Sequence, residues 1–113
     1  MLCCYLLARA SQALTYLGAL RSAEMRFAAL DPANAYTSTV TVLDIDLTKP
    51  LDWDLPTFAL TAGSGGVNPT GFAEMARSAG TYGGQTVGIQ FGTGTICGNY
   101  GAYGAGLAVC AQD

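Results

Sequence analysis

The sequence predicts an α+β fold: one long N-terminal α-helix packed on a small antiparallel sheet of three to four strands, with a C-terminal loop held between two cysteines. Three observations point there. Helix-forming residues with an apolar repeat of three and four fill the first part of the chain. Short strand-like runs separated by glycine-rich turns fill the second half. Cys97 and Cys110 bracket a stretch made almost wholly of glycine, alanine, tyrosine and asparagine. At 113 residues the whole is one domain with a modest core: a helix over 1–30, a connecting segment over 31–56, and a sheet with its disulfide loop over 57–113.

From Leu2 to Leu30 only Gly18 interrupts a run composed mainly of Ala, Leu, Arg, Gln, Glu and Met, all strong helix formers. Leu6, Ala10, Ala13, Leu14, Leu17, Leu20, Phe27 and Leu30 lie on one stripe, and Arg9, Arg21 and Arg26 fall mostly off it. Asp31-Pro32 ends the helix, because proline disfavours helical geometry in the residue before it. Such a helix reaches about 43 Å, while a domain of this size has a radius of gyration of about 13 Å. One end must overhang. The first end is expected to, since Met1 to Leu7 is farthest in sequence from the strands. Leu2, Tyr5, Leu6 and Leu7 would then need covering by a partner.

Thr37 to Leu47 alternates in strand fashion, with Val40 and Val42 inward and Leu43, Ile45 and Leu47 as further candidates for that side. Lys49-Pro50 ends it, and the lone tryptophan, Trp53, follows. The sheet is expected from Phe58 to Ala62, Gly71 to Ser78 and Thr86 to Phe91, with Thr95 to Cys97 continuing the last strand. AGSGGVNPTG and AGTYGGQ form the turns between them.

The glycine-rich setting of Cys97 and Cys110 lets their Cα atoms approach to the roughly 5.5 Å that a disulfide needs. Closing a loop of this size stabilises by about 3 kcal/mol and places the chain in an oxidising compartment. Adjacent Cys3 and Cys4 read as inert apolar helix residues, with acylation or a crosslink between subunits as the other reading. No zinc site is expected without a histidine or a C-x-x-C pair.

Charged residues make up only 12% of the chain, and the net charge is −3. A weakly acidic chain without a basic cluster excludes nucleic acid as a partner. So low a charge density leaves uncharged surface for burial against neighbours. Met1 to Ala8 is apolar but far short of the roughly 20 residues that span a bilayer, and it lacks the basic leader of a secretion signal.

No catalytic activity, metal or cofactor is expected, since histidine is absent and no serine or cysteine has an activating partner in sequence. Asp44 with Asp46, and Asp52 with Asp54, would share a strand face at roughly 7 Å, a spacing that suits glycoside hydrolysis. The favoured reading is the solvated side of an alternation, ahead of a calcium site or catalysis. The loop Gly63 to Gly71 lacks the lysine of a phosphate cradle. Tyr82, Tyr100 and Tyr103 offer an aromatic surface for a ligand or a neighbouring subunit, or serve as half-buried anchors.

Ala8 to Leu30, ARASQALTYLGALRSAEMRFAAL, resembles the second half of the N-terminal helix of type IV pilins and pseudopilins, where A-x-x-x-E-A-L-x-x-L-x-x-L-R-x-A-E-x-x-F is common. LDIDL at Leu43 to Leu47 resembles that family's motif between helix and sheet. GTICG with the paired Cys97 and Cys110 resembles its closing strand and disulfide-bounded loop. The matches cover most of the chain. The family's longer apolar anchor, which bears a glutamate, has no counterpart before MLCCYLL. A truncated subunit, a split pilin with its anchor on another polypeptide, and a naturally short subunit are the three readings of that difference.

The resemblance implies a structural subunit of an extracellular filament, pilus-like or secretion pseudopilus, reaching the cell surface by way of the periplasm. Leu2, Tyr5, Leu6, Leu7, Ala10, Leu14 and Leu17 would pack in the fibre core against copies of the chain or a companion helical subunit. The alternative is a monomeric secreted binding module, or a minor pilin tip, that recognises a ligand through its tyrosine- and glycine-rich loops.

Overall fold

Strong helix formers hold α1 unbroken over Leu2–Leu30. A computed structural model of the chain describes residues 2–46, 48–50, 53–63, 67–78, 85–99 and 108–112, with the side chains of residues 2–10 outside that description. Among the described side chains, Ala13, Tyr16, Leu17, Leu20, Ala23, Glu24 and Ala28 are buried, at the steps of three and four that mark one helix face. Leu30, expected on the same stripe, is instead 86% exposed. It is the last helical residue, followed at once by a turn in which Asn34 N–H donates to Asp31 O at 2.9 Å.

The sheet is a four-stranded antiparallel meander in the order β1-β2-β3-β4. β1 spans Thr57–Thr61, β2 Thr70–Ala76, β3 Thr86–Gln90 and β4 Ile96–Asn99. Period-two alternation turns Gly71, Ala73 and Met75 of β2 inward and leaves Thr70, Phe72, Glu74 and Ala76 half-buried on the outer face. Thr95 to Cys97 does not prolong β3 as expected. Gly94, at φ 76°, adopts the left-handed geometry that glycine favours. There the chain reverses, Gly94 N–H reaching Gln90 O at 2.8 Å and Gln90 N–H reaching Thr95 O at 3.0 Å. Residues 96–99 therefore return as a separate strand, with Ile89 opposite Ile96.

Helix and sheet close on Leu17, Leu20, Trp53, Met75, Val87 and Phe91, all fully buried. Tyr36 sets its ring edge on Phe91 at 5.0 Å. The connecting segment differs from expectation. Thr37 to Leu47 alternates as a strand would, yet among its described residues the regular element is a single 3-10 turn, Val40–Val42. Val42 is 55% exposed, whereas Leu43 enters the core and Val40 and Ile45 pack against it half-buried. The physical reason is tertiary: β-branched residues favour a strand only where a ladder partner exists. Here Asp44 is held by Arg26 and Thr37 N–H by Glu24, which ties the segment to the helix layer instead of the sheet.

Candidate functional site

On the outer sheet face, β4 presents Cys97 opposite Gly88 of β3. Cys97 and Cys110 form a disulfide with Cα atoms 5.0 Å apart. A Cβ at Gly88 would come within 2.6 Å of the Cys110 sulfur, so this position needs a residue without a side chain. The bond fastens a strap, residues 108–112, across that face. Gly98 N–H donates to Ala108 O at 2.9 Å, and Gln90 Nε2 to Ala111 O at 2.9 Å. The hydroxyls of Thr61 and Thr70, on β1 and β2, both donate to Gln112 Oε1. The strap thus bridges all four strands. Tyr82, Tyr100 and Tyr103 lie outside the described residues.

Of the residues expected to pack between subunits, Leu2, Tyr5, Leu6, Leu7 and Ala10 stand on α1 with side chains outside the description. Leu14 is half-buried. Leu17 is fully buried by its own chain, so its side chain is not available to a neighbour.

At the C-terminal end of α1, Ala23, Phe27, Leu30, Pro32 and Val42 line an apolar groove of about 260 Å³ with Arg26 and Asp44 at its rim. Arg26 Nε and Nη2 donate to the two carboxylate oxygens of Asp44 at 2.7 and 2.8 Å. That paired hydrogen bond holds the Asp44 carboxyl below its ordinary range and raises the guanidinium. Asp44 and Asp46 lie in a segment that forms no strand, so they have no strand face to share; Asp52 is outside the described residues. Among the described residues no three His, Cys, Asp or Glu side chains gather as a metal site, and no helix is long and apolar enough to cross a membrane.

Two buried polar groups were not anticipated from the sequence. Glu24 is fully enclosed; its Oε1 accepts Thr37 N–H at 2.8 Å, and Oε2 has no partner. Burial pushes its carboxyl up to about 7, against a lesser lowering by the Thr37 hydrogen bond. A signal for it existed, because Glu24 falls four residues after Leu20 and three before Phe27, on the apolar stripe itself. Arg77, also buried, stacks its guanidinium 5.6 Å above the Trp53 ring, an attraction between cation and ring quadrupole. A backbone bridge between Trp53 and Arg77 fixes that pair. Comparison of the chain with protein-family models, curated proteins and solved structures finds no match.

Proposed function

We propose that the chain is a structural subunit of an extracellular filament of the type IV pilus or pseudopilus kind, assembling through the apolar start of α1. A mismatch of lengths carries the reading. α1 rises about 43 Å, whereas β2, the longest strand at 7 residues, extends about 23 Å. Among the described side chains, those of the helix that are buried run from Ala13 to Ala28, about 22 Å of rise, close to the reach of the sheet. The long dimension of the molecule, 49 Å against 28 and 16 Å, agrees with a rod that outreaches its sheet.

Residues 2–8, the first turns of that rod, carry no charge. Burying them against copies of the chain, or against a companion helix, contributes about 25 cal/mol per Å² of apolar surface, offset by the ordering that association demands. In this reading the disulfide-strapped face turns outward, and an oxidising compartment suits its cross-link.

The test is Leu6→Glu, with Leu7→Glu beside it. Loss of one buried leucine contact removes about 1.5–3 kcal/mol, so the subunit concentration needed for filaments should rise at least tenfold. Electron microscopy reads that loss, and near-ultraviolet circular dichroism should stay unchanged. Filaments of Leu6→Glu at the unsubstituted chain's concentration would refute the packing. A native preparation that stays monomeric favours the binding-module reading through Tyr82 and Tyr100.

A further inference from the structure

The two edges of the sheet are finished differently. At β4 the chain covers its own edge, with Ala108 bridged to Cys97 and Gly98 N–H bonded to Ala108 O. At β1 no described backbone group pairs on the outer side. Natural edge strands are usually blunted by lysine, proline or a bulge. Thr57–Thr61, reading TFALT, contains no charge and no proline.

The direction of each backbone group on β1 follows from its neighbours. Phe91 N–H bonds Gly71 O at 2.9 Å, and Asp54 N–H bonds Ala76 O at 2.8 Å. Gly71 therefore faces β3 while Ala76 faces the β1 side, and strict alternation along β2 turns Thr70, Phe72 and Glu74 toward β1. Their partners Thr61, Ala59 and Thr57 use their N–H and C=O groups on β2. Phe58 and Leu60 point theirs at the open edge.

We propose that this edge pairs with the β1 edge of a second copy of the chain, antiparallel and centred on Ala59. The strand is self-complementary in that register. Thr57 falls opposite Thr61 of the second copy, Phe58 opposite Leu60, and Ala59 opposite Ala59. Each N–H and C=O that Phe58 and Leu60 point outward finds a mate, and the Thr57–Thr61 pairs at either end are favourable cross-strand pairs. No like charges meet. The exposed Leu55 and Val67 flank the strand, Val67 O lying beside Gly63. Antiparallel pairing carries Leu55 of one copy to the Val67 end of the other. Among the described residues the connecting segment meets the β1 hairpin beyond Thr61, Asn34 O accepting Gly63 N–H at 3.1 Å, and Arg26 and Glu24 tie its Asp44 and Thr37 to the helix.

The pair is isologous, with its two-fold axis normal to one continuous sheet. Both helices lie on one face and run in opposite directions. It is therefore a contact distinct from packing along a single polar filament, and independent of the filament reading.

The experiment uses the full chain carrying Leu6→Glu, Cys3→Ser and Cys4→Ser, so that helix-driven assembly and stray thiols do not contribute. Ala59→Cys in that background should oxidise to a disulfide-linked dimer, because the residues at the centre of the pair are not hydrogen-bonded to each other and bring their Cα atoms to about 4.5 Å. Thr61→Cys, displaced from its own copy by four residues, should not. Ala59→Lys should raise the dimer dissociation constant at least tenfold by sedimentation equilibrium, and mixing it with Ala59→Glu should restore the dimer. A chain that remains monomeric to about 1 mM overturns the proposal. So does crosslinking of Thr61→Cys as fast as Ala59→Cys, or a dissociation constant that Ala59→Lys leaves unmoved.

Discussion

Glu24 should make this fold less stable as the pH rises, and Glu24→Gln isolates the effect. Unfolded, the carboxyl titrates near its ordinary value of 4.5; folded, burial raises it to about 7. Below the lower value both states hold the proton, and the stabilising difference is fully present. Between the two values the native state keeps a proton that the unfolded state has released, so unfolding free energy declines with pH and levels off above the higher value. At 1.36 kcal/mol for each pH unit, the whole decline is about 3 kcal/mol. Among the described residues no cation pairs with it. Arg21, one turn away, donates to Phe91 O and Gly92 O, and Arg26 is engaged by Asp44. Glutamine keeps the shape and the acceptor for Thr37 N–H but never ionises. Urea titrations at about pH 4 and about pH 8 on both proteins should show the unsubstituted chain losing about 3 kcal/mol more than the variant across that interval. A difference under about 1 kcal/mol, or one of opposite sign, would refute the argument.

Two further outcomes follow from the packing. Leu17→Ala should lower stability by about 2–5 kcal/mol, measured as the urea midpoint, because the side chain is fully enclosed by its own chain and leaves a cavity. Gly88→Ala should destabilise the oxidised protein by about 1–3 kcal/mol, since the added carbon meets Cys110 Sγ at 2.6 Å and Ala73 O at 2.7 Å; thermal melts with and without reductant should show a smaller penalty once the Cys110 sulfur is free to move.

The helix is legible in the sequence because Ala13, Leu17 and Leu20 repeat at its period and Asp31-Pro32 closes it. The strands are legible through alternation, and the disulfide through the glycine-rich setting of its cysteines. Thr37 to Leu47 is not, because its alternation matches a strand while the deciding contacts come from Arg26 and Glu24, more than ten residues away. The return of β4 turns on a single left-handed glycine at position 94, which the pattern TICG does not announce. Glu24 is masked by its own chemistry: a carboxylate is ordinarily assigned to solvent, and only its place between Leu20 and Phe27 marks it as buried. The strap is hidden too, since Gln112 reaches residues 51 and 42 positions earlier in the chain.

Those distant contacts set an order of events during synthesis. Residues 57–76 leave the ribosome long before 108–112, so the hairpin of β1 and β2 must wait for the segment that completes its outer surface. Contacts so remote in sequence slow folding, and the cysteine partners become available to one another only late. The chain therefore keeps its first strands uncovered until its last residues arrive. Its thiol chemistry and its final tertiary closure are expected to coincide as one step.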